Sequence, residues 1–244
     1  MVSWVRICHA ATVRLDAAAL RWGLWMERAF LIWVLDSAAS GDTNAFEFYG
    51  PSSLAAQVPG EFMPEFLVRR NEINGVRLLD RLLNALDDPG ELLKAATDFE
   101  REIGGKDLSL SMARVMIGGI SRVAVLHLRG NAELECMIAG VAAERFRAAA
   151  GRWPASLDQL TPTYLEAVPV DPFAHGGNIK LARTERGITI YSCGEDREDD
   201  GGEVVQNGIH SRASDVGFRL VDPKHRGVMI TDEPRPEEDR PSGR

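Results

Sequence analysis

The chain has 244 residues, 45% apolar and 26% charged, with a net charge of −8 and a pI near 5.2. Those values fit a globular protein of one or two domains with enough apolar residues to build a core. The acidic balance, with no Lys/Arg cluster and no interleaved aromatics, argues against nucleic acid as a partner.

Residues 10–36 are Ala-rich and predict a helix, with Leu20, Leu24, Leu31 and Val34-Leu35 near helical spacing and Trp22, Trp25 and Trp33 widening the apolar face. Such a face suits a partner or a membrane surface, but packing into a core is the favoured reading. Residues 37–63 carry Gly, Pro, Ser and Asn and read as a loop with at most a short element. Val76, Leu79, Leu82-Leu83 and Leu86 repeat at three and four and predict a second helix over 64–86, ended by Asp87-Asp88-Pro89-Gly90. A shorter third helix runs from Pro89 to Glu102, and Gly104-Gly105 breaks the chain.

The spacing of Met112, Met116, Gly119, Val123, Leu126, Gly130, Leu134, Met137 and Val141 predicts a fourth helical region over 108–150. A continuous helix there would be about 64 Å long at the usual rise. Gly118-Gly119 and Gly130-Asn131 both weaken it, and the kink is expected near 130. Gly151 is a fitting stop.

Beyond Gly151 the texture changes. Ser156 can cap a short helical turn over 156–160, and Val168-Pro169-Val170-Asp171-Pro172-Phe173 reads as turn and extended chain. Two strands are predicted over 178–184 and 187–192, joined by a hairpin at Glu185-Arg186-Gly187. A Gly/Asp-rich loop follows over 194–203, then a strand over 215–221. The tail from Asp232 is charged and Pro-rich and predicts disorder.

Between about 140 and 222 the order and wording of these pieces resemble the C-terminal region of the major pseudopilin of type II secretion. The matching pieces are Gly151-Arg152-Trp153-Pro154, Ser156-Leu157-Asp158-Gln159-Leu160, Tyr164-Leu165, Val168 to Phe173, and Ile190-Tyr191-Ser192-Cys193-Gly194-Glu195-Asp196. The stretch is also similar to a group of uncharacterised bacterial envelope proteins. Those continue with a segment like Asp215-Val216-Gly217-Phe218-Arg219-Leu220 and have upstream helices and an N-terminal anchor. The basic leader, prepilin-peptidase site and glutamate-bearing apolar helix of a pseudopilin have no counterpart here. Arg114, Arg122 and Arg129 keep the helix over 108–130 from replacing that span.

The resemblance implies an α+β fold: a helical region over 1–107, then a long helix on a small antiparallel sheet over 108–231. It also implies a structural or interaction role in secretion or the cell envelope, a protein partner or self-assembly, and an extracytoplasmic setting. In the family a calcium ion sits in the loop corresponding to 194–202. Carried over, the ligands would be Asp196, with Asp199, Asp200 and the main chain of Ser192 as further donors. The residues themselves agree, because carboxylates in a Gly-permitted turn suit a hard cation; the same pattern also describes a solvated acidic turn.

No other chemistry stands out in the sequence. His9, His127, His175, His210 and His225 are scattered, and no HExxH, GxSxG elbow or phosphate loop is present. Cys8, Cys136 and Cys193 are too few and too far apart for a disulfide framework or a thiolate zinc site. Two of them lie in apolar stretches and read as small core residues, and Cys193 reads as a strand-end residue rather than a nucleophile. The longest uncharged apolar runs fall far below the ~18 residues a membrane span needs. Residues 1–21, with Arg6, Arg14, Asp16 and Arg21, do not read as a signal peptide. Membrane association would then come only through a missing anchor or a partner. Two alternatives stand beside the non-catalytic reading: a hydrolase with its site in the helical half, and a helical adaptor binding through its Trp-rich face.

Overall fold

The computed structural model describes residues 17–40, 63–174, 176–204 and 215–226. In chain order these form α1 (Ala17–Ala39), α2 (Glu65–Ala85), α3 (Pro89–Ile103), a 3₁₀ turn (Leu108–Leu110), α4 (Ser111–Ile117) and α5 (Ile120–Ala150). A second 3₁₀ turn (Leu157–Leu160), β1 (Lys180–Thr184), β2 (Gly187–Ser192), β3 (Val216–Val221) and a last 3₁₀ turn (Pro223–His225) follow. The chain is an α+β protein whose sheet is an antiparallel meander in the order β1-β2-β3. The segments predicted over 1–16, most of the 37–63 loop and the tail from Asp232 lie outside the described residues.

α1 lies along α2, with smaller contacts to α4 and α5, and buries Leu24, Leu31, Val34 and Leu35. At Gly75 the three helices come close: a Cβ there would stand 2.7 Å from Leu31 Cδ2 and 3.1 Å from Ala113 Cβ, so a larger residue would have to displace the buried Leu31 side chain. α3 starts as its sequence directs. Pro89 occupies the first turn, and the Asp88 carboxylate accepts from the Gly90 and Glu91 N–H groups, supplying partners the helix itself lacks. Asn71 joins α2 to the segment after α3. Fully buried, it donates to the Leu67 and Leu108 carbonyls (2.9 and 3.0 Å) and accepts from Met112 N–H at 2.9 Å, capping α4 from outside.

The helical break falls at Gly118-Gly119, where α4 and α5 meet at 48°, and not near 130. Gly130 stays inside α5 because the residues around it, Leu128 and Ala132, are held in the core, and packing outweighs the ~1 kcal/mol propensity cost of one glycine. α5 ends at Gly151, whose φ of 71° turns the chain while its N–H bonds to Arg147 O at 2.8 Å. Among the described residues no single helix is long and apolar enough to cross a membrane.

Two apolar clusters meet along α5. The first takes in α1 to α4 and the first half of α5, and reaches Phe173, Cys193 and Val216 at the end of the sheet. The second packs Cys136, Ala139, Ala142 and Ala143 against Ile188 and Ile190, closed by Trp153, Leu157 and Leu160. The small residues on this face of α5 let the sheet approach closely: Phe218 lies against Gly140, with its ring 2.8 Å from where a Cβ would sit. Trp153 is fixed at its polar end by an indole N–H donated to Asp222 at 2.6 Å.

Candidate functional site

β2 is buried along its whole length because both faces of the sheet are covered. Helix α5 covers the face of Ile188 and Ile190. The acidic loop after Gly194 folds over the other, the face of Thr189 and Tyr191. Gly202, with φ of 85°, lies so close that a Cβ would stand 3.1 Å from the Tyr191 ring and 3.2 Å from Ala182 Cβ. Glycine at this position is therefore required by approach as well as by dihedral.

Asp199 fastens the loop. Its carboxylate accepts from Lys180 Nζ at 2.8 Å, from Tyr191 Oη at 3.0 Å and from Gly201 N–H at 3.1 Å. The Lys180 ammonium, then the Gly201 N–H, holds this carboxyl below the usual carboxylate range. Asp215 is its counterpart at the far side of the loop. It is 2% exposed; one oxygen accepts from Gly202 N–H at 2.8 Å, and Oδ1 is buried without a well-formed hydrogen bond, the Asp200 N–H being near the carboxylate. Burial raises its pKa, and the negative charges of Asp200 and Asp199 add to the rise. A buried carboxylate oxygen short of hydrogen bonds, with further negative charge nearby, is a group that a cation would relieve.

The four residues expected to bind a cation are thus divided. Asp199 and Asp200 lie close enough to Asp215, which sequence reasoning did not include, for their charges to act on it. Asp196 is exposed and caps its own turn through Glu198 N–H at 3.1 Å. Ser192 sits in the ladder opposite Val216, with its hydroxyl turned to Asp171 at 2.7 Å. Among the described residues no group of three or more His, Cys, Asp or Glu has metal-holding geometry. The signal that points to Asp215 is its position as the residue entering β3, paired by a bridge to Val204.

Beneath this loop Asp171 makes a separate polar knot. Only 1% exposed, it accepts from Phe173 N–H (2.9 Å), Ser192 Oγ (2.7 Å) and Cys193 N–H (3.0 Å), tying the Pro-x-Asp-Pro turn to the end of β2. Burial, with the Asp171 charge nearby, raises both Cys136 and Cys193 thiols, Cys193 to about 12. Thiols so placed are inert core residues. His127, half-buried on α5, contacts Asn131 through Nε2 at 3.2 Å.

The third feature is apolar. The expectation that the tryptophans of α1 pack into a core is overturned: Trp22, Trp25 and Trp33 are 70, 60 and 53% exposed, and Met26 68%. α2, with smaller contacts from α4 and α5, covers the leucine side of α1, and the apolar residues extend beyond the side they cover. Ala18, Ala19, Trp22, Trp25, Met26, Ala29 and Trp33 form an outward arc with no charged residue before Asp36. The charges lie on the inner flanks, where Arg21 bonds Asp87 and Arg28 bonds Asp80, each at 2.8 Å. Beside the arc runs a groove of about 500 Å³ between α1 and α5, lined by Ala19, Gly23, Glu27, Val123, Leu126 and His127.

No protein-family model, curated protein or solved structure matches this chain.

Proposed function

We propose that the chain is a non-catalytic structural or interaction protein. In this reading a pseudopilin-like C-terminal module is joined to a helical half that carries the association surface, and the protein serves secretion or the cell envelope. The observation that carries the reading is the uncharged arc of Trp22, Trp25, Met26 and Trp33 on α1. Exposed patches of this composition are costly in water and mark surfaces that meet another apolar surface. The pseudopilin-like part is supported by the order of its pieces: α5 laid on a three-stranded meander, the Asp171 turn, and an acidic loop closing the sheet's second face. In the same reading Asp215, Asp199 and Asp200 hold a calcium ion, which would satisfy the buried Oδ1 of Asp215.

The test is made in the cell that produces the protein. Native size fractionation of lysate should place the wild-type chain in a particle larger than itself. A Trp22→Ser/Trp25→Ser/Trp33→Ser variant, equally abundant and equally folded, should migrate alone. Wild type migrating as a lone chain would refute the association reading.

A further inference from the structure

The arc on α1 is built to meet itself, and we propose that its occupant is a second copy of this chain, docked antiparallel through α1. This rests on the association reading above and names its partner.

Size complementarity comes first. The arc carries large residues at Trp22, Met26 and Trp33 and small ones at Ala18, Ala19 and Ala29. An antiparallel pairing about a dyad at Trp25–Met26 sets Trp22 over Ala29 of the second copy and Trp33 over the second copy's Ala18–Ala19 end. Met26 and Trp25 then gather with their counterparts at the dyad, a thioether beside aromatic rings. A parallel pairing would instead oppose tryptophan to tryptophan and alanine to alanine, leaving voids that close packing does not tolerate. Antiparallel docking is also isologous, so it closes as a dimer and leaves no second arc open.

Area is the second argument. At roughly 250 Å² per tryptophan, the three exposures leave about 450 Å² of indole surface open on each chain. Two facing copies bury about 900 Å² from tryptophan alone, before Met26 and the alanines are added, against ~1,200–2,000 Å² for a specific interface.

Charge is the third. Each chain carries −8, but none of that charge lies on the arc before Asp36, so the copies meet where their repulsion is weakest. A lipid surface is the poorer fit. Interfacial helices hold headgroups with free Lys and Arg, whereas Arg21 and Arg28 are paired to Asp87 and Asp80 of the same chain.

Sedimentation and light scattering of the purified full chain test this. The expected mass is twice 26.8 kDa, and Met26→Glu, which sets two carboxylates at the dyad, should return a monomer with an unchanged circular dichroism spectrum. Register is tested in a Cys8→Ser background. Met26→Cys should cross-link to itself under mild oxidation. Ala29→Cys should not, and the Trp22→Cys/Ala29→Cys pair should. A wild-type monomer at all concentrations, a dimer indifferent to Met26→Glu, or cross-linking of Ala29→Cys alone overturns the proposal. So does flotation of a monomeric wild type with phosphatidylcholine/phosphatidylglycerol vesicles. A purified monomer that still migrates in a large particle in lysate would sink the second-copy proposal and leave the association reading standing; a lone chain in both would sink both.

Discussion

Asp171 offers the sharpest test of how the C-terminal unit holds together. Its carboxylate is 1% exposed and accepts two backbone N–H groups and one hydroxyl, all within 3.0 Å. Asp171→Ala removes the acceptor and keeps the donors. Ser192 Oγ can rotate, and it retains its contact with Gly194 N–H at 3.2 Å, but the N–H groups of Phe173 and Cys193 make no second hydrogen bond among the described residues. Each buried donor left unpaired costs ~1–3 kcal/mol, more when its lost partner was a carboxylate, so the expected loss is roughly 3–5 kcal/mol. In a chain of this size that lowers Tm by roughly 6–20 °C at ~2–4 °C per kcal/mol. Ser192→Ala removes one bond and leaves two, for about 1 kcal/mol. The two losses should add to less than their sum in the double variant, because they share a partner. Urea unfolding followed by circular dichroism measures all three. An Asp171→Ala loss within about 1 kcal/mol of wild type, or equal to that of Ser192→Ala, would show that the three contacts do not act as one knot.

Four further outcomes follow from the same geometry. Calcium at a hundredfold excess over its Kd should stabilise the wild type by ~2.7 kcal/mol, and Asp215→Asn should abolish the shift. Calcium stabilisation that survives the substitution would place the ion elsewhere. Without calcium the pH dependence has a definite sign. The carboxyl of Asp215 is raised in the folded state above its unfolded value of ~3.9, so it supports the fold at acid pH and that support is lost as pH rises through the folded pKa. The wild type should therefore gain stability relative to Asp215→Asn as pH is lowered from neutrality, and a pH-independent difference would refute the burial argument. Thr189 Oγ1 is buried under the loop without a partner, so Thr189→Val should be stabilising by about 1 kcal/mol in thermal unfolding rather than damaging. In a Cys8→Ser background, Cys136 and Cys193 should resist a thiol reagent at pH 8 in the folded chain and react in urea; rapid labelling of the folded chain would contradict their burial.

Local signals in the sequence were enough to place most elements. Helix periodicity located α1 and α2, Pro89 and Gly104-Gly105 bounded α3, Gly151 marked the end of α5 through its own dihedral, and two strand-like runs around Glu185-Arg186-Gly187 located the hairpin. These features depend on neighbours within a few residues, so no tertiary information was needed. Where two signals of similar strength competed, the sequence could not choose. Gly118-Gly119 and Gly130-Asn131 both weaken a helix, and the break went to the first because Leu128 and Ala132 hold the second inside the core. Asn71, inside a helical pattern, gave no sign that it would cap α4 from 41 residues away. Asp215 lies 13 residues from Gly202, to which it bonds, and only the fold brings it to the acidic loop. The tryptophans of α1 show the limit most clearly. Sequence alone showed an apolar face widened by tryptophans and favoured packing all of it into a core; the tertiary structure divides that face, because α2, α4 and α5 pack on the side of Leu24, Leu31 and Leu35 and leave Trp22, Trp25 and Trp33 outward.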